Sequence, residues 1–464
     1  MTCKIAIIGG GPGGLMTAYQ LQQRCPVPFE ATLYEASSRL GGKIITEHFA
    51  SADVAYEAGA AELYDYSQSG DDPLRNLVER LGLRTKLMGG RSVILNDRVL
   101  HDIDDVGRTY GEPARKALLE FDARARQWMG PDEYYEADWN ESDAGSLTDV
   151  TFDDELELVP SEAARRYLRT LVHSDLATEP HRTSAAYGLQ NYLMNLPGYM
   201  RLYSIEGGIE QLPKALAAHV EARILLEEPV LRVERAANQM LRVTSRRAGA
   251  VRTEDYNYVV VALPNDCLPS IDWAGEALGE AMHRHLVRHD KPGHYLRVSV
   301  LFREIFWEEF FQESYVMLEA FGGCCLYDES SRNGCRSYGV LSWLLAGDAA
   351  TYACNFPDGD LVEMVLDSLP KALQQGRELV VEGRVHRWIG AVNGLPAGSS
   401  GLAMESRHVP EPGKHDVMVV GDYLFDSTLN GVLDSASYVA EWLAEVIEAD
   451  FNAAVPAVVT EAVL

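Results

Sequence analysis

The feature that most restricts how this chain can fold lies at its start, in IAIIGGGPGGLMTAYQLQQR, followed closely by ATLYEASSRLGGKI. The apolar run Ile5 to Ile8 meets Gly9, Gly11 and Gly14 in G-x-G-x-x-G order and turns helical from Leu15. A second apolar run, Ala31 to Tyr34, ends in Glu35. Strand, tight turn, helix, strand and terminal acid together predict the opening βαβ unit of a doubly wound α/β sheet. In such a unit Gly9 permits the turn, Gly11 lets a pyrophosphate approach the backbone, and Gly14 lets helix and strand pack closely. The free N–H groups of the first helical turn, around Pro12 and Gly13, face the phosphates, and Glu35 accepts hydrogen bonds from a ribose diol. A lone glycine motif is a weak signal; here position, both strands and the acid agree.

Directly after Glu35 and Ala36 come Arg39, the glycine pair Gly41 and Gly42, and Lys43. A plain nicotinamide-binding unit does not require them, and they point to FAD. An arginine beside the pyrophosphate supplies charge-assisted hydrogen bonds, and the glycines let backbone pass close to the flavin side of the cofactor.

The stretch YEASSRLGGKI resembles the flavin amine oxidase, protoporphyrinogen oxidase and carotenoid desaturase superfamily. Further segments resemble that family in the same order. YEAGAAELYD, Tyr56 to Asp65, resembles its glycine loop beside the flavin, with Gly59 and Ala60 at the cofactor. EGGIEQLPKALA, Glu206 to Ala217, resembles its third segment; PVLRVE follows, with the Val230 backbone at the adenine, and then the strand VVVALP, Val259 to Pro264. DVMVVGDYLFDSTLNG resembles the closing motif, where Gly421 and Asp422 reach the ribityl or pyrophosphate region. There Thr428, Leu429 and Asn430 begin a helix whose N–H groups meet the flavin pyrimidine. HRWIGAVNGLPAGSSG, with Trp388 and Pro396, resembles the segment that precedes the closing motif and carries the covalent cysteine of monoamine oxidases. This chain has no cysteine after Cys354, so the expected FAD is noncovalent.

The resemblance implies a discontinuous Rossmann-like FAD domain, residues 1–84, 201–270 and 385–450, and an inserted α+β substrate domain with a helical part, residues 85–200 and 271–384. A tail follows at 451–464. Within the insertions, EPARKALLEFDARARQWM and SEAARRYLRTLVHSDL read as helices, YLRVSVLF and SYGVLSWLLA as strands, and Asp360 to Gln374 as a helix. At 464 residues and 47% hydrophobic content the chain can bury two or three cores.

A net charge of −28 argues against nucleic acid or an anionic membrane as partner. Seven cysteines without C-x-x-C spacing read as reduced thiols of a cytoplasmic protein, and neither a leader peptide nor a membrane-spanning run is expected. Asn140-Glu141-Ser142 matches a glycosylation sequon but reads as a polar loop. His283, His285 and His289 include an i, i+4 pair, which reads as an exposed helix face rather than a metal site. A second G-x-G-x-x-G for NADPH is missing, which disfavours a reductase.

The catalytic candidate is Arg297. In the amine oxidase branch a lysine precedes the tryptophan of a Phe-Trp strand end by ten residues; counting back from Trp307 in YLRVSVLFREIFW reaches Arg297. An arginine stays protonated, so it serves not as a base but to steady anionic reduced flavin, orient water or grip a substrate carboxylate. If that register is off, Arg297 is instead an outward strand residue. Thr428 stands where monoamine oxidases place an aromatic wall, so the amine cage is altered. These features lead to an oxidase or desaturase that takes two electrons from a small amine, amino acid or related metabolite, with oxygen reoxidising the flavin. Dehydrogenation of a larger apolar or polycyclic molecule and flavin-dependent isomerisation are the alternatives.

Overall fold

The structure is a computed structural model that describes residues 2–68, 70–131, 134, 145–333, 337–395 and 402–454. The sequon at 140–142, Cys335, Pro396 and the tail from 455 lie outside the described residues. The glycine motif does what its spacing requires. The strand Cys3–Ile8 enters the turn at Gly9, and the helix Pro12–Arg24 leaves it with proline in its first turn, where a missing N–H costs nothing. The strand Phe29–Tyr34 returns parallel to the first. Three further parallel strands complete a five-stranded sheet in the order Arg223–Leu225, Phe29–Tyr34, Cys3–Ile8, Tyr258–Val261, Val417–Val419. Strands from opposite ends of the chain are thus neighbours.

Both faces of this sheet are covered, which is why its strands read as continuous apolar runs. Ile5, Ile7, Leu33, Val260 and Met418 pack against Leu15 and Met16 of the first helix, Leu212 of the helix Gln211–His219, and Leu433, Val439 and Leu443 of the long helix Leu429–Ala454. Ala6, Ile8, Val259 and Val419 pack the other way, against Val233, Leu241 and Val243 of a four-stranded sheet built from residues 230 to 274.

A mixed seven-stranded sheet forms a separate layer, in the order Val380–Asn393, Pro292–Phe302, Gly339–Ala346, Cys324–Asp328, Tyr315–Leu318, Val93–Leu95, Arg98–Leu100. Its strand Val380–Asn393 runs across the expected boundary at 385, so Trp388 belongs to this sheet and not to the five-stranded one. The strand Thr85–Met88, just past the other expected boundary, pairs with Arg201–Ile205, which also pairs with Leu63–Asp65. Along Pro292–Phe302, Leu296, Val298, Val300 and Phe302 face a core with Leu361 and Val365 of the helix Asp358–Asp367. Strand alternation therefore turns Tyr295, Arg297 and Ser299 to the opposite face. The expected helix 360–374 ends earlier, at Asp367, and continues from Lys371 as 3₁₀ turns to Leu379 because Pro370 removes a helical N–H. No described helix is long and apolar enough to cross a membrane.

Candidate active site

The glycine turn opens a cleft at the carboxyl ends of the parallel strands, where a doubly wound sheet places its ligand. Gly9 sits at φ +113°, and a Cβ there would lie 2.3 Å from the Ala262 carbonyl oxygen. A Cβ on Gly14 would lie 2.0 Å from the Gly9 oxygen, so helix and strand touch at the third glycine. Gly11 differs: a Cβ would meet nothing nearer than the Gly42 Cα at 3.7 Å, and the residue lines the cleft. Gly9, Pro12, Gly13, Glu35, Gly42, Lys43, Gly59, Ala60, Trp388, Gly421, Asp422, Thr428 and Leu429 line the same cleft. Segments separated by hundreds of residues therefore converge on one space.

Several contacts show how the cleft is held. Glu35 accepts backbone N–H bonds from Gly10 at 2.8 Å and Ser37 at 2.7 Å, which fixes its carboxylate at the strand end. Lys43 Nζ lies 3.3 Å from Asp422 and also donates to the Ala391 carbonyl, tying the loop after the second strand to the closing motif. Trp388 Nε1 donates to the Ala58 carbonyl at 2.7 Å. Thr428 Oγ1 accepts the Gly431 N–H at 3.1 Å and caps the long helix, whose first turn has further N–H groups with no partner inside the helix.

Other candidate residues have partners or positions of their own. Arg39 is turned into its own loop, donating to the carbonyls of Leu40, Ile44 and Gly42, because those carbonyls lie within its reach and would otherwise be left unpaired. Gly41, at φ +107°, donates to Gly10 and shapes that loop. Gly14 lies behind the turn, and Ala36 is exposed beside it. Val230 is buried between the two sheets. Asn430 reaches Asp72 at 3.4 Å instead of the cleft. His285 and His289 are not on an exposed face: both are buried, their tilted rings 4.7 Å apart between centres and packed against Tyr423, and their basicity is lowered by burial. Only His283 of the three is exposed, and no group of metal-ligating residues occurs among the described residues.

Arg297 lines the cleft and is 1% exposed. Its Nη1 lies 3.1 Å from Glu329, which is fully buried, and 3.2 Å from the Glu57 carbonyl, and its guanidinium stands 4.8 Å over the Tyr327 ring. Arg332 flanks the same acid at 3.5 Å. Nearby, burial and the charge of Glu329 push the Glu57 carboxyl up to about 7. Arg297 is thus a fixed charge in a dry ionic cluster, and its Nε has no partner among the described residues.

A second cavity, of about 210 Å³, adjoins the cleft, and Glu62 and Tyr64 line both. Glu62 accepts the Tyr327 hydroxyl at 3.1 Å. Farther in, Asp175 accepts Asn195 Nδ2 at 2.7 Å, and burial with the nearby Glu62 charge pushes its carboxyl up to about 7. Both acids escaped sequence reading, but Asp175 had a signal. It extends the apolar stripe Leu168, Leu171, Val172 of the helix Glu162–Leu176, so an acid stands one turn along a buried face.

A family model described as flavin containing amine oxidoreductase matches residues 12–443. The chain belongs to that family. Among curated relatives, a flavin-containing amine oxidase of Oncorhynchus mykiss is 23% identical over 329 residues, 66% of this chain and 58% of the relative; the match therefore spans less than two thirds of that protein. Among solved structures, cyclohexylamine oxidase from Brevibacterium oxydans superposes with a TM-score of 0.73 at 19% identity, covering 97% of this chain and all of the other. Wild-type putrescine oxidase bound to putrescine gives 0.71 at 17% identity, covering 97% and 99%. At such identities the superpositions establish the fold.

Proposed function

We propose that this protein binds FAD without a covalent bond and oxidises a small primary amine, with molecular oxygen as final electron acceptor. The observation that carries the reading is the junction of the two cavities. A cleft lined by a dinucleotide turn opens, at Glu62 and Tyr64, onto a small space whose inner wall bears carboxylates. Such a wall attracts a cation and repels the carboxylates of a porphyrinogen. The names of the amine oxidases that share this fold agree.

The cleft fits FAD. Gly11 leaves room where a Cβ would project, and the first turn of the helix Pro12–Arg24 presents N–H groups without partners in the helix. Glu35 stands at the strand end for the ribose. No cysteine or histidine lines the cleft among the described residues, which supports noncovalent attachment. When bound, FAD would accept a hydride equivalent from the amine-bearing carbon and pass two electrons to oxygen, leaving hydrogen peroxide and an imine that water hydrolyses. Arg297, held by the Glu329 carboxylate and the Glu57 carbonyl, would supply a fixed positive charge to that centre. Tyr295 and Leu344 line the same cleft beside Arg297.

The test is direct. Purified protein should be yellow, and acid precipitation should release FAD into the supernatant. Short amines should bleach the flavin without oxygen and yield peroxide with it. Flavin that stays with the precipitate would refute noncovalent binding, and failure of every amine to bleach a fully occupied enzyme would refute amine oxidation.

A further inference from the structure

Around Arg297 the acids outnumber the cations among the described residues. Glu57, Glu62 and Glu329 share one region with two guanidinium groups, Arg297 and Arg332. Arg297 pairs with Glu329 at 3.1 Å, and Arg332 approaches the same acid at 3.5 Å. Against burial, the charges of Glu329, Glu62 and Glu57 raise the basicity of Arg332, so all three acids act on it. Three carboxylates against two guanidinium groups leave one negative charge in excess when every group is ionised, and a buried charge without a partner is costly. One of the carboxyls is therefore the natural seat of a proton.

The hydrogen bonds single out Glu57. It is 3% exposed and makes no ion pair among the described residues, whereas Glu329 has both arginines. Its oxygens accept the Ile209 N–H and the Thr46 hydroxyl, each at 2.9 Å. An amide N–H can only donate, but a hydroxyl can turn and accept, so Thr46 can serve Glu57 with or without a proton. Glu57 also sits close to the cleft: its carbonyl accepts Arg297 Nη1 at 3.2 Å, and Gly59, two residues on, lines the cofactor space. The side chains that face its carboxyl are Glu329, Arg332 and Thr46, with Arg297 at its carbonyl, Glu62 beside Arg332, and the Glu210 N–H on Thr46 Oγ1 at 3.3 Å. Burial and the charge of Glu329 push this carboxyl up to about 7.

We infer that Glu57 takes up a proton when a flavin in the cleft is reduced and gives it up on reoxidation, compensating the charge that Arg297 alone cannot follow. This rests on the flavin reading above but not on the substrate being an amine. Two electrons and one proton reach the flavin as a hydride equivalent and leave one negative charge on it. A second proton, drawn from solvent, turns the Glu57 carboxylate into the neutral acid. Oxygen then takes two electrons and two protons to become hydrogen peroxide, one proton coming with the hydride equivalent and one being the proton that Glu57 returns to solvent. A negative charge arriving at Arg297 raises the proton affinity of the acids around it, while Arg297 itself stays charged. Below about pH 7 Glu57 carries its proton in both oxidation states, and above its raised value in neither; between the two, reduction and proton uptake are coupled.

The experiment measures the midpoint potential of the flavin-loaded enzyme from pH 6 to 10, anaerobically against reference dyes and without substrate. Each proton taken up with two electrons lowers the potential by about 30 mV for every tenfold drop in proton concentration. The wild type should show that slope near pH 6 and twice that slope above pH 7. Glu57→Gln, which cannot titrate, should keep the shallow slope throughout. Thr46→Val, a second variant should the first lose its flavin, removes a donor from the ionised carboxylate and should move the steep window to higher pH. Within the window the absorbance of the reduced flavin should be that of the anion. A shallow slope throughout in the wild type, a steep window that survives Glu57→Gln or stays in place in Thr46→Val, or a neutral reduced flavin would each overturn the inference and leave amine oxidation standing. Failure of every amine to bleach the loaded enzyme would sink amine oxidation and leave this proton uptake standing, and protein that cannot be loaded with flavin would sink both.

Discussion

Replacing Arg297 by Met tests stability and chemistry at one position. The change removes the 3.1 Å pair with Glu329, the 3.2 Å bond to the Glu57 carbonyl and the cation over Tyr327, while keeping much of the stem's bulk. Breaking a buried pair costs about 3–5 kcal/mol because the remaining charge is stranded. Here Arg332 still stands 3.5 Å from Glu329, so the loss should fall at the lower end, about 3 kcal/mol. With an unfolding entropy of roughly 2.1 cal/mol/K per residue, 464 residues give about 1 kcal/mol/K, and the flavin-loaded protein should melt ~3 °C lower. Turnover should fall further than stability explains, by on the order of 10²-fold, since a preorganised charge at the cofactor would be missing. Flavin occupancy should hold, because the dinucleotide turn is elsewhere. Arg297→Lys separates the roles: it restores the charge but not the planar fork, so it should recover most of the turnover and part of the melting temperature. Melting and turnover both unchanged in Arg297→Met would refute the buried cluster as well as the role given to it.

The glycines offer a contrasting pair. Gly11→Val projects into the open cleft and should give folded, colourless protein by circular dichroism and absorbance, whereas Gly14→Ala drives a Cβ to 2.0 Å from the Gly9 oxygen and should destabilise the fold itself, seen as poor recovery or a lowered melting temperature. The pH profile offers another test. Asp175 is raised to about 7, so it is protonated and uncharged below that pH and ionised above it; KM for a cationic amine should fall, by up to roughly tenfold, between pH 6 and 8 in the wild type, and this component should vanish in Asp175→Asn.

The opening motif and its sheet were legible because their requirements are local. A turn needing positive φ, a helix with proline at its start and an acid at a strand's end announce themselves within thirty-five residues, and the order of later segments extended that to the whole cleft. Arg297 was legible only as a position on a strand. Whether it faced solvent or cofactor depended on which alternate residues a distant helix covers, and the contacts of Leu296, Val298 and Val300 with Leu361 and Val365 decided it. The partners of Arg39 and Asn430 were not legible, because a side chain's partner is chosen among nearby carbonyls and acids that sequence does not locate. The burial of His285 and His289 likewise depended on Tyr423, more than a hundred residues away.

By itself the sequence determined the opening βαβ unit and its glycine turn, since glycine conformations, apolar periodicity and strand-end acids act over a few residues; the joining of the later segments to it was implied by the family resemblance. The tertiary structure alone decided the inner cavity. Glu62 comes from a strand start and Asp175 from a helix more than a hundred residues on, and neither has a local reason to be charged where it is. Packing of that helix against the seven-stranded sheet brought the two acids to one cavity, and there burial makes the charge of Asp175 matter.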